Sequence, residues 1–305
     1  MTGTQRLGIL PGRCFVFASL SRILRFARSQ TPPCQCSRSH DMGRMLWYTG
    51  YVDSREVLAL YDATMRKDPA PAAGVRYERI GPVVRSVGLW NVVLFWELAD
   101  RDAAVRAVDE QAAYARAAGL ALEWKLFEHD RPAGLAAILQ RAGFVADESE
   151  TLMVLDLGVP ALAELALGDG VEIRRVVDAA GVDDFMAVAN AAFGRNETWK
   201  TPAYLQSLED DEIELFVVYC DGLAVSSGRL NLPERRAFAS MWGGSTLREY
   251  RGLGLYRALV ARRAEEARRR GYRFLTTDAR ETSRPILQRL GFVRLSGITG
   301  WVLRP

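Results

Sequence analysis

The chain has 305 residues, of which 49% are apolar, 25% charged and 10% aromatic. This composition excludes a disordered, collagen-like or mostly membrane-embedded protein and leaves room for one or two folded domains. The 40 basic and 37 acidic residues nearly cancel to a net charge of +3, which argues against a nucleic-acid binder, and no run approaches the roughly 18 apolar residues of a membrane-spanning helix.

Residues 1–41 stand apart. They hold six Arg against one acid, Asp41, and three of the four cysteines (Cys14, Cys34, Cys36), whereas the other 264 residues carry a net charge of −2. The head lacks the apolar core and cleavage site of a secretory signal. It reads as a basic, disordered extension or as a misassigned start, with translation beginning at Met42 or Met45. Cys34, Cys36 and His40 fall short of the four placed ligands of a structural zinc site, so no metal is expected. Cys220 has no partner for a disulfide in the remainder, which suits a reducing compartment and a cytoplasmic location.

Residues 95–102 read Phe-Trp-Glu-Leu-Ala-Asp-Arg-Asp and lead into a helix over Asp102 to Ala118, with Val105, Val108, Ala112 and Ala115 on one face and Gly119 ending it. Leu120 to Phe127 reads as a half-buried strand containing Trp124 and Lys125, with Glu128 following. His129 is read as structural, and Asp130-Arg131-Pro132 as the opening of a helix, Asp130 as its cap and Pro132 in its first turn. Thr151 to Leu157 is a closing strand, and Val159 to Gly170 a connector.

Val171 to Val176 is expected to be a strand, and Asp183 to Phe193 a helix. Glu214 to Cys220 and Leu223 to Leu230 flank Asp221-Gly222, a hairpin turn. Phe238 to Leu247 is a further strand. Leu255 to Arg270 is a helix presenting Tyr256, Val260, Ala264 and Ala267 on one face. Phe274 to Asp278 is a strand, Ser283-Arg284-Pro285 opens the last helix, and Gly300 to Leu303 closes the chain's last sheet.

Ile-Leu-Gln-Arg-Ala-Gly-Phe at 138–144 recurs as Ile-Leu-Gln-Arg-Leu-Gly-Phe at 286–292, preceded in both places by the same order of elements. The repeat predicts two tandem domains of α/β class, 46–157 and 171–305, each a mixed central sheet flanked by helices.

The stretch Thr246 to Tyr256 joins a strand to a helix. Gly252 and Gly254 allow a sharp turn and a close approach of backbone to ligand, the helix start offers free N–H groups and partial positive charge, and Arg251 adds a cation. Arg251-Gly252-Leu253-Gly254, the strand before it, the Arg-rich helix after it and the terminal Leu290-Gly291-Phe292 together resemble the GCN5-related N-acetyltransferases (GNAT), strongly over 171–305 and weakly over 46–157. The arrangement is similar to tandem members such as mycothiol synthase. The family loop ends in Gly or Ala, where this chain has Tyr256.

The resemblance implies an N-acetyltransferase taking acetyl-CoA and an amine, with the second domain catalytic and the first a degenerate twin that walls the acceptor cleft or stabilises the pair. It places the pyrophosphate on the amides of Gly252, Leu253, Gly254, Leu255, Tyr256 and Arg257, and the pantetheine arm along Ser245, Thr246 and Leu247. Of the Arg-rich helix, one or two residues could meet the 3′-phosphate. The family's acidic Tyr falls on Leu287 and its strand Glu on Phe238, so the general acid and base do not carry over. Asp278 at the end of its strand, Glu197 in the loop after the second domain's first helix and Tyr219 in a central strand are the substitutes offered by position. Neither nucleic acid nor membrane is expected as a partner, and a homodimer is left open. The first domain should bind no acetyl-CoA, because Asp100 and Asp102 stand where the glycine loop would be. The rival reading is a non-catalytic acyl-CoA-binding or regulatory module.

Overall fold

The computed structural model describes residues 53–72, 74–159, 167–209, 211–234 and 236–305. The basic head, both internal start codons and most of the connector lie outside the described residues. The first half begins with α1 (Ser54–Tyr61), whose Asp53 caps it by accepting from the Arg55 N–H, followed by a π-helical turn (Asp62–Lys67). Three antiparallel strands follow, β1 (Val75–Ile80), β2 (Val83–Gly88) and β3 (Val92–Trp96), then α2 (Arg101–Ala118), β4 (Leu122–Phe127), α3 (Leu135–Arg141), β5 (Val145–Ala146) and β6 (Glu150–Asp156).

The second half repeats the plan with β7 (Val171–Arg175), α4 (Ala179–Phe193), a short α5 (Thr201–Gln206), β8 (Ile213–Cys220), β9 (Leu223–Asn231), β10 (Phe238–Thr246), α6 (Leu255–Arg269), β11 (Phe274–Ala279), α7 (Arg284–Arg289) and β12 (Val293–Leu303). Asp221, at φ 49°, and Gly222, at φ 81°, make the turn between β8 and β9.

Two separate sheets were expected; one sheet is found. Its order is β1-β2-β3-β4-β12-β6-β11-β10-β9-β8-β7, with β5 added on β12. The closing strands are exchanged: β6 of the first half lies between β11 and β12, and Ile298 to Leu303 of β12 pairs with β4 of the first half. Each half is therefore completed by a strand from the other.

Helices cover both faces. Leu259, Val260, Ala264 and Ala267 of α6 pack on Phe216, Val218, Met241 and Leu275, and α2 and α3 bury Val108, Ala112 and Leu139 against Trp124 and Phe144. On the opposite face α1 sets Val57 and Tyr61 against Phe127, Phe238 and Phe274, across the seam between the halves, while α4 and α5 cover Leu215, Val217 and Tyr219. Each large apolar side chain so buried contributes about 1.5–3 kcal/mol.

Two local readings are corrected. Asp130 does not cap α3, which starts at Leu135 with Gly134 before it. Its carboxylate instead accepts from the Phe127 N–H at 2.8 Å and from Arg66 Nη2 at 2.9 Å, because the buried Arg66 guanidinium, stacked 3.9 Å from the Phe127 ring, requires a counter-charge. Tyr219 lies not in a central strand but in β8, next to the edge strand β7.

Candidate functional site

The parallel pairing of β10 with β11 runs only from Phe238–Phe274 to Ser240–Thr276, although both strands continue. Beyond it β10 carries a bulge between Trp242 and Ser245, which bends a strand and breaks its pairing. The two strands part and leave an opening in the sheet. Gly244 fits this bend because a Cβ there would come within 2.8 Å of the Tyr256 ring.

Beyond the bulge, Thr246 leads through a 3₁₀ turn (Arg248–Tyr250) into the glycine loop. Gly252 and Gly254 both hold φ +82°, and a Cβ on either would meet no atom within 4 Å. The conformation explains why glycine is needed, and the open space lies on the side a ligand would occupy. No side chain caps the start of α6, so its first-turn amides are left without an acceptor from a capping residue. Leu255 is buried and anchors the turn, while Leu253 and Arg257 are exposed. Arg251 ties the loop to its strand by donating Nε to the Thr246 carbonyl at 3.1 Å. Ser245 and Thr246 are braced by hydroxyl contacts to Ser227 and Ser226 at 2.8 and 2.9 Å, and the Leu247 N–H is committed to Val225. The Tyr256 side chain turns beneath the bulge toward Ser283, and burial pushes its hydroxyl above the usual tyrosine value.

Most of the Arg on α6 are occupied. Arg268 pairs with Glu265, and Arg269 and Arg270 with Glu266, whose carboxyl is held down to about 2, chiefly by the Arg269 hydrogen bond. Arg263 is buried under β9, where it donates to the Arg229 carbonyl. Arg257 has no ion pair among the described residues and stands at the loop.

The corresponding place in the first half is closed. The Asp100 side chain caps α2 and accepts from the Ala103 N–H at 2.8 Å. A carboxylate of the chain itself thus sits where the second half offers free amides.

On the opposite face of the opening, the sequence candidates are each held by a partner. Asp278 lies in β11 and forms an ion pair with Lys125 of β4; its side chain is 3% exposed and that of Lys125 13%. Lys125 stands seven residues before Pro132, and Asp278 seven before Pro285. Equivalent positions of the repeat therefore meet across the seam with opposite charge. Burial alone would lower the Lys125 ammonium, but Asp278, Glu123, Tyr61 and Glu150 together hold it above its ordinary value. Its Nζ lies 4.9 Å from the ring centroid of Trp242, beside the bulge. Glu150, on β6, is pushed up to about 7, mainly by burial and with Asp278 adding repulsion; Glu123 is also raised by burial.

Glu197 accepts from Lys200 at 2.7 Å in the turn after α4. Tyr219 donates to Asp184 at 2.7 Å under α4, and burial together with that contact raises it to about 12. Leu287 is fully buried. His129 links the halves, with Nε2 2.7 Å from Asp62 and Nδ1 3.0 Å from Ser296. A cavity of about 460 Å³ lies along the same seam, away from the glycine loop, and is lined by Glu128, Glu150, Glu281, Arg284 and Arg294. Lys125, Glu150 and Arg229 are the residues that sequence reasoning did not connect to the site. Charge within a strand was the only available signal.

Residues 182–292 match the model of the acetyltransferase (GNAT) family. The matched stretch of the second half is a GNAT domain. Its family is one of acyl-CoA-dependent N-acetyltransferases that use acetyl-CoA. Across both halves the chain is similar in fold to a GCN5-related N-acetyltransferase from Kribbella flavida, with a TM-score of 0.62 at 18% identity, covering 83% of this chain and 96% of that one. A second such protein, from Sphaerobacter thermophilus, gives 0.56 at 15% identity, covering 82% and 86%. A tandem GNAT protein from the clavulanic acid biosynthesis pathway gives 0.54 at 14% identity, covering 83% and 96%. At these identities the likeness is one of fold. No curated protein matches the sequence. Among the described residues no helix is long and apolar enough to cross a membrane, and no group of His, Cys, Asp or Glu could hold a metal ion.

Proposed function

We propose that the GNAT domain of the second half transfers an acetyl group from acetyl-CoA to an amine, and that the first half binds no acetyl-CoA. The reading rests chiefly on the uncapped glycine turn at the start of α6 beside the parted strands β10 and β11. The amides of Gly252 to Arg257 would receive the pyrophosphate. Arg257 and the free end of the Arg251 guanidinium would add positive charge. The backbone of Ser245 to Leu247 would align the pantetheine arm as strand addition does.

When bound, acetyl-CoA supplies a thioester carbonyl for the amine to attack and a thiolate to leave. The protein must then take one proton from the amine. Asp278, Glu197 and Tyr219 remain candidates by position, but each is held by a partner. Glu150, pushed up to about 7 by burial near the Lys125–Asp278 pair, is a further carboxylate matched to accept a proton near neutrality.

The test is calorimetric titration with acetyl-CoA. Gly254→Glu is expected to weaken binding at least about tenfold, because a carboxylate enters the anion site. Gly254→Ala, which strains the same φ without charge, separates that effect from backbone strain. Equal affinity in folded wild type and Gly254→Glu would overturn the assignment. Thiol release over an amine panel separates an enzyme from a non-catalytic acyl-CoA binder.

A further inference from the structure

Arg229 lies near the C-terminal end of β9, paired across to Leu215 of β8 and Trp242 of β10. It is 6% exposed, and burial lowers its pKa with no carboxylate acting on it. Buried arginines ordinarily face an acid, as Arg66 faces Asp62 and Asp130 in this chain. Among the described residues, the groups against the Arg229 guanidinium are aromatic. Nη1 donates to the Tyr204 hydroxyl of α5 at 3.1 Å, and the guanidinium lies 4.3 Å from the ring centroid of Trp90, which the first half extends from its β2–β3 turn. The Nε is buried without an acceptor, and Nη2 bonds to no described residue.

The Nε and Nη2 edge is the one that grips a carboxylate through two parallel hydrogen bonds. Its place in the fold is equally specific. Trp242 lies between Arg229 and Lys125, and the bulge of β10 begins directly after it. Trp242 therefore stands between a cation with no carboxylate partner among the described residues and the Lys125–Asp278 pair beside Glu150.

We propose that Arg229 is the anion-binding residue of an acceptor subsite, and that the acceptor is an amine that also carries a carboxylate, as an amino acid does. The carboxylate docks on the Nε–Nη2 edge beneath Trp90 and places the amine toward the opening. The first half then has a direct task in recognition, since Trp90 closes the subsite. This inference rests on the acetyltransfer reading only for the identity of the ligand as an acceptor.

The experiment uses the full chain, with and without acetyl-CoA. Tryptophan fluorescence reports binding of amino acids, of their amides, of glucosamine and of phosphoethanolamine, while calorimetry reports acetyl-CoA separately. At least one amino acid is expected to bind about tenfold or more tightly than its amide, as charge-assisted hydrogen bonds require. Arg229→Met should erase that margin while leaving acetyl-CoA affinity intact. Arg229→Lys, which keeps charge but not the two-donor edge, should restore only part of it. If Arg229→Met does not fold, Tyr204→Phe, which frees Nη1, should still narrow the margin.

Equal binding of acids and amides, no binding of any acid, preference for phosphoethanolamine, or a margin that survives Arg229→Met would each overturn the proposal. Loss of acetyl-CoA binding in wild type would instead overturn the acetyltransfer reading, and the fluorescence result would still decide the role of Arg229.

Discussion

Substituting Lys125 by Met removes the cation paired with Asp278, whose side chain is 3% exposed, the only such cation among the described residues. Breaking a buried pair from one side typically costs about 3–5 kcal/mol, because the remaining charge has lost its partner. In a chain of this size, each kcal/mol shifts the melting temperature by about 2–4 °C, so a fall of roughly 6–20 °C is expected. The loss should depend on pH. Lys125 also holds down Glu150, now at about 7, and Glu123; without it both carboxyls rise further. A carboxyl whose folded pKa is raised keeps its stability below the unfolded value and loses it as pH climbs through the folded value. Urea melts should therefore show a smaller deficit near about pH 5 than near about pH 8. The double variant Lys125→Met with Asp278→Leu should recover more than half of the loss, since removing both charges also removes their desolvation cost. A deficit below about 1 kcal/mol near pH 8, one independent of pH, or a double variant as unstable as the sum of the singles would refute the argument.

Asp100→Ala removes the side-chain cap of α2. It should lower stability by about 1 kcal/mol without creating a second acetyl-CoA site, which calorimetric stoichiometry at saturation would show. Deleting residues 299–305 strips β4 of its β12 neighbour. Circular dichroism should then show loss of strand signal from the first half as well as the second, and a deletion that only shortened the second half would contradict the exchanged arrangement.

The glycine loop was legible because its chemistry is local: a strand, two residues that tolerate positive φ, and an apolar-faced helix occupy one short stretch. The exchange of closing strands was not. Ile-Leu-Gln-Arg-x-Gly-Phe precedes both β6 and β12, so each strand suits either sheet and sequence alone cannot choose between them. The strands β1 to β3 were obscured by charge. Arg85 interrupts β2 yet is buried, because Glu78, Gln111 and the Tyr114 ring receive its guanidinium from other elements. The Lys125–Asp278 contact was hidden in the same way: each residue sits in a correctly read strand, but their meeting depends on the curvature of the sheet. Arg229 looked like one more strand arginine, and only its surroundings distinguish it from Arg66.

The position of residues 298–303 also bears on how the protein is made. During synthesis β4 emerges well before β12, the strand that covers its open edge. Chains generally fold from the N-terminus as they emerge. Here the first half must wait with an unpaired strand edge, a site open to mispairing with other chains. The ribosome would therefore hold an unfinished first half until β12 has emerged, and chaperone dependence should fall mainly on that interval.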